Sequence, residues 1–184
     1  MTGLYVVLGV VALLVVFGIS QYNKLVRLNV AVDEGFAQIE VQLQRRADLI
    51  PNLVETVKGY AAHEKSTFEA VINARNAAVA APSAPESQAQ ANNALTGALR
   101  QLFALSEAYP DLKANQNFLA LQEELTSTES RVAYARQFYN DSVLGYHNQL
   151  DTFPTILIAK LGTFAHREFF EAEDSAKIPP TVKF

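Results

Sequence analysis

The sequence contains no cysteine. That excludes disulfides, thiolate zinc sites and a thiol nucleophile, and leaves the compartment open. Charge is missing from the whole of residues 1–23. Basic residues are few: 15 Lys and Arg against 19 Asp and Glu, with a net charge of -4 and a pI near 5.4. They are spread thinly, without the basic patch or stripe of a nucleic-acid protein, so nucleic acid is excluded as a partner. The 8 glycines are scattered and form no phosphate-cradling loop. No run of period-two alternation marks a strand. What remains is 49% hydrophobic, enough to build a core and to exclude global disorder.

The apolar material begins at the N-terminus. Residues 4–19 are almost wholly apolar, and with their flanks they reach about 20 residues, near the length that crosses a bilayer core. Tyr5 and Tyr22 stand at the two ends, roughly 26 Å apart along a helix, which matches the spacing of interfacial aromatic belts. A cleaved signal would carry a basic start and small residues at a cleavage site. No Lys or Arg precedes this run, and Gly18-Ile19-Ser20 fits such a site poorly. A buried core helix would not be apolar on every side at a chain terminus. Residues 1–23 therefore read as a single-pass anchor. Lys24 and Arg27 follow it directly, so the positive-inside rule places the C-terminal part in the cytoplasm and the N-terminus outside.

Beyond the anchor, apolar residues recur in steps of three and four at Leu25, Leu28, Val32, Phe36, Ile39, Leu43, Ala47, Ile50, Val54, Val57, Ala61, Phe68 and Ile72. This is an amphipathic helix continuous with the anchor. Pro51 interrupts it, because proline removes a hydrogen bond and crowds the carbonyl of Ala47. The helix either kinks over residues 47–51 or restarts with Asp48 as N-cap; the unbroken stripe favours the kink. Residues 78–93, small and polar with Pro82 and Pro85, read as a low-complexity loop. A second helix is expected over 94–108. A third starts near Asn115 and carries Phe118, Leu121, Leu125, Val132, Ala135, Tyr139, Val143, Tyr146 and Leu150 on one face. Pro154 ends it, and a short helix over 155–161 closes at Gly162. The expected fold is all-α: an anchor (1–23), an antiparallel helical bundle (24–172) and an extended tail (173–184).

No catalytic constellation emerges. His63-Glu64 lacks the second histidine of a zinc-protease helix, since position 67 is Thr. The residues three before His63, His147 and His166 are Tyr60, Leu144 and Thr163, so no di-iron Glu-x-x-His pair exists. No serine sits in a nucleophile elbow. No cofactor, metal site or enzymatic role is expected. Arg45, Arg46 and Asp48 next to Pro51 form either local surface salt bridges or a contact for a partner. A straight helix would hold Arg45 roughly 35 Å beyond Tyr22, too far for lipid headgroups and better placed for a protein. The long first helix also carries more stripe than the fewer, shorter later helices are expected to cover. Residues 25–43 are therefore expected to expose apolar surface for self-association.

Several runs resemble the LemA family of bacterial membrane proteins. They include Tyr22-Asn23-Lys24-Leu25-Val26 and Gln42-Leu43-Gln44-Arg45-Arg46-Ala47-Asp48-Leu49-Ile50-Pro51-Asn52-Leu53-Val54-Glu55-Thr56-Val57-Lys58-Gly59-Tyr60. Glu107-Ala108-Tyr109-Pro110-Asp111-Leu112-Lys113-Ala114-Asn115, Leu121-Gln122-Glu123-Glu124-Leu125, Tyr139-Asn140, Phe153-Pro154 and Phe169-Phe170-Glu171 extend the likeness over nearly the full chain. Gly35-Phe36 departs from it, where the family more often has Ala and an aromatic such as Trp. The resemblance implies a transmembrane helix in the bacterial inner membrane with a cytoplasmic helical bundle. It supplies no activity and no catalytic residues. The expected function is a non-enzymatic scaffold that assembles with copies of itself on the bilayer. The alternative is an adaptor for another membrane protein such as a protease or transporter.

Overall fold

The computed structural model describes residues 2–170; the tail expected over 173–184, and the last two residues of the expected bundle, lie outside them. Six helices follow one another: α1 (Thr2–Lys58), α2 (Lys65–Ala80), α3 (Pro85–Ser106), α4 (Pro110–Lys113), α5 (Gln116–Asp151) and α6 (Thr155–Leu161). Among the described residues there is no strand, and the all-α bundle is as expected.

α1 is one helix of 57 residues, about 86 Å long at the helical rise. Its first turns stand clear of everything else: none of the most apolar 18-residue window is buried. That part of α1 is long and apolar enough to cross a membrane. The helix continues without a break into the bundle.

α5 lies antiparallel along α1. Gln21 meets Gln149, Gly35 meets Tyr139 and Arg45 meets Glu124, so one index rises as the other falls. This pairing corrects the expectation for residues 25–43. Leu25, Val32, Ile39 and Leu43 are buried, with Leu28 and Phe36 packed against the same core. The stripe is covered within the chain because α5, at 36 residues, is long enough to reach from Glu124 to the edge of the anchor. At Gly35 the two helices come so close that a Cβ would lie 3.2 Å from the Tyr139 Cα.

The apolar interior forms two zones along this axis. Near the anchor, the stripe of α1 packs on Val132, Tyr139, Val143 and Tyr146 of α5, Ala159 of α6 and Phe170. Farther out, Ile50, Leu53 and Val57 join Phe68 and Val71 of α2, Leu95, Leu99 and Leu102 of α3, and Phe118 at the start of α5.

Local differences from the sequence reading have local causes. α1 runs through Pro51 without restarting, in line with the unbroken stripe. Asp48 is no cap but accepts a bond from Gln44 Nε2 at 2.8 Å, and Ala47 O receives Arg75 Nε–H at 3.3 Å. α1 stops at Lys58, so Phe68 belongs to α2, where it is buried in the same core. Most of the expected loop over 78–93 is helix. Pro85 sits in the first turn of α3, where its fixed φ suits a helix start. The Ala and Gln that follow are good helix formers, and Ala89 and Asn92 are buried. Pro110 opens the single turn of α4. α5 starts where expected, and Asn115 is its cap, accepting Phe118 N–H at 3.0 Å. α6 has the expected bounds. Gly162 has φ -100°, so it supplies room and not a left-handed turn: a Cβ there would lie 2.7 Å from the Phe164 ring.

After α6 the chain runs back along the bundle as an extended strap. Tyr146 Oη donates to Ala165 O at 3.0 Å and Tyr139 Oη to Glu168 O at 2.6 Å. Asn140 takes Phe170 N–H at 2.9 Å and returns a bond to Phe170 O at 3.1 Å. Arg167 pairs with Asp33 of α1.

Candidate functional site

Among the described residues no group of three or more His, Asp or Glu is placed to hold a metal ion. Two of the three histidines meet: the His147 and His166 rings are 4.7 Å apart between centroids. His147 Nε2 accepts the Arg167 backbone N–H at 3.0 Å, and His166 Nε2 lies 3.1 Å from Asp151 Oδ2. Burial lowers the His147 pKa from its ordinary value, and His166 lowers it further, against the smaller effects of Asp151 and the Arg167 backbone bond. A neutral imidazole accepting a backbone proton holds the strap in place.

Arg45 and Arg46 divide their roles. Arg45 pairs with Glu124 across the α1–α5 seam. Arg46 is only 5% exposed; its guanidinium donates to Thr96 Oγ1 at 3.0 Å and lies 4.0 Å from Glu129. Burial pushes its pKa down and Glu129 opposes that shift. Thus Arg46 ties α1 to α3 and α5. It is neither a solvated surface pair nor a free contact for a partner. Asp48 and Pro51 remain exposed. Tyr5, Tyr22, Lys24 and Arg27 are exposed at the two ends of the apolar run, with the Tyr22 ring 5.4 Å from Phe164.

The exposed apolar surface of the bundle lies elsewhere than on the stripe. Between α1 and α5 opens a groove of about 550 Å³ walled by Ala37, Val41, Tyr134, Ala135 and Phe138, with Gln42 and Arg131. Val41 and Phe138 are exposed, and Tyr134 is 75% exposed. Gln42 Oε1 is buried there without a hydrogen-bond partner. Position in the sequence hinted at this surface: Tyr134 and Phe138 are four apart, on one helix face, and off the buried stripe of α5. That α1 would bring Val41 beside them depends on the register of two distant helices.

The model of the LemA family matches residues 35–184, well over half of the chain. Magnetosome protein MamQ 2 of Paramagnetospirillum magneticum is 25% identical over 94% of this chain and 72% of its own length. Magnetosome protein MamQ of Magnetospirillum gryphiswaldense is 26% identical over 88% of this chain and 68% of its own. Protein LemA of Metamycoplasma hominis is 23% identical over 87% of this chain and 73% of its own. With one apolar N-terminal helix leading into an α1–α5 bundle, the chain belongs to the LemA family.

Proposed function

We propose that this protein is a non-enzymatic scaffold, anchored by the first turns of α1 and assembling with copies of itself on a membrane. The observation that carries the reading is the groove beside Val41, Tyr134 and Phe138. Its apolar walls are exposed to water in the single chain, at a cost of about 25 cal/mol for each Å² left uncovered. An unbroken α1 holds the groove at a fixed height above the anchor, so every copy in one membrane presents it at the same level. Confinement to a plane raises the effective concentration of copies for each other. A second copy is therefore the occupant best positioned to fill the groove.

The bundle lies on the cytoplasmic side in this reading, because Lys24 and Arg27 follow the apolar run and no basic residue precedes it. The membrane is that of a bacterial cell. No catalytic step and no cofactor are assigned. The test replaces Tyr134 and Val41 by Asp, both exposed, and measures the mass of the particle taken from native membranes in mild detergent. Loss of a uniform homomer with the fold retained supports the reading. An unchanged homomer moves the interface off this groove. A monomeric parent protein, or a fixed complex with one other chain, replaces self-assembly by the adaptor role.

A further inference from the structure

α6 sits at the anchor end of the bundle. Gln149 Nε2 bonds Thr155 Oγ1 at 2.6 Å, and both side chains reach Gln21 Oε1 at 3.4 Å. Past the other end of α6, the Phe164 ring packs on Tyr22. Both flanks of this short helix therefore touch the same turn of α1. That turn lies about 3 Å of helix rise beyond Ile19, the last residue of the apolar run.

One face of α6, Thr155 and Ala159, is buried against the bundle. Leu157 and Leu161, four apart, lie on the opposite side of α6, and Phe153 precedes the helix. Phe153, Leu157 and Leu161 are 76%, 55% and 90% exposed. Large apolar side chains so exposed on and beside one short helix are costly to leave in water and mark a contact surface. Lys160, Lys24 and Arg27 are exposed in the same region, as suits a surface facing anionic headgroups.

We infer that α6 is a second membrane contact: Phe153, Leu157 and Leu161 insert into the lipid interface beside the anchor. The occupant is lipid and not a second copy because the patch adjoins the end of the membrane-spanning run. Interfacial helices bury their apolar face only about 5–10 Å deep, a range within reach of a helix held at Gln21. The consequence is mechanical. A lone helix can tilt and spin in a bilayer, whereas two adjoining contacts fix the bundle's orientation about its anchor. The inference rests on the reading of α1 as an anchor.

The chain has no tryptophan, so single-Trp variants report one site each. The full-length protein is reconstituted in vesicles of phosphatidylcholine and phosphatidylglycerol, some carrying lipids brominated near the headgroup end of the acyl chains. Leu157→Trp and Leu161→Trp are read against Phe17→Trp in the anchor and Leu119→Trp at the far end of α5. The expected result is blue-shifted emission with bromine quenching at 157, 161 and 17, and none at 119. Water-like emission at 157 and 161, or a blue shift without quenching, overturns the inference; the second outcome means that protein covers the patch. Quenching at 119 as well overturns it, since the bundle would then lie flat on the membrane. Failure of quenching at 17 overturns the anchor itself. Leu161 is nearly free of packing, so its replacement by Trp leaves the fold intact, and circular dichroism verifies this.

Discussion

Arg75 of α2 donates its Nε–H to the backbone oxygen of Ala47 at 3.3 Å. Ala47 O is the carbonyl that Pro51, having no N–H, leaves without its helical donor. A side chain from a neighbouring helix thus takes the place of a missing main-chain bond, and α1 runs unbroken from the apolar segment to Lys58. The long rod on which the scaffold reading depends is maintained at its weakest point by tertiary packing.

Arg75→Ala should destabilise the protein by about 1–2 kcal/mol, the cost of a partly buried carbonyl left unpaired. In a Pro51→Ala background the helix supplies its own N–H, and the same substitution should cost much less. Thermal melts of the four variants in mild detergent give the coupling directly. Equal losses in both backgrounds would assign Arg75 some other role.

Gly35 and Tyr139 mark a close approach of α1 and α5. Gly35→Leu should lower stability by about 1–3 kcal/mol, because the nearest obstacle is backbone and the helices must separate. Gly35→Ala should be close to neutral: the gain of up to ~1 kcal/mol in helix propensity offsets a tight contact. Urea titrations compare the two.

How much of this was legible beforehand follows the range of the interactions. The apolar N-terminal helix, the start of α5 near Asn115 and the bounds of α6 depend on residues close by in the chain, and the sequence displays them. The helix over residues 85–93 was obscured because alanine and glutamine also suit loops; only the burial of Ala89 and Asn92 decides for helix. Arg46 looked like a surface charge since Thr96 and Glu129, which hold it, are far off in sequence. Coverage of residues 25–43 required the antiparallel register of α5, which no local pattern encodes. The groove at Val41, Tyr134 and Phe138 was hidden for the same reason.

The strap should weaken in acid. The His147 pKa is lowered in the folded state, so the unfolded chain binds its proton more readily. Its contribution is complete above the unfolded value near 6.5 and is lost as pH falls through the lower folded value. The protection of the Arg167 amide, its exchange relative to the intrinsic rate at each pH, should fall as the pH drops below about 6.5, and His147→Gln should flatten that dependence. Protection that does not change with pH in the parent protein would rule out His147 as the group responsible.

Tyr139→Phe should cost about 1 kcal/mol by removing the bond to Glu168 O, and should raise exchange in the strap more than in α2 or α3. Uniform loosening of the whole bundle would show that the hydroxyl acts on the core and not on the strap.

The most direct measurement is the mass of the particle extracted from native membranes in a gentle detergent, by light scattering on a sizing column. Self-assembly predicts a large, uniform particle made of this chain alone, which Tyr134→Asp with Val41→Asp reduces to smaller species. A monomer, or a particle of fixed stoichiometry with another protein, would contradict it.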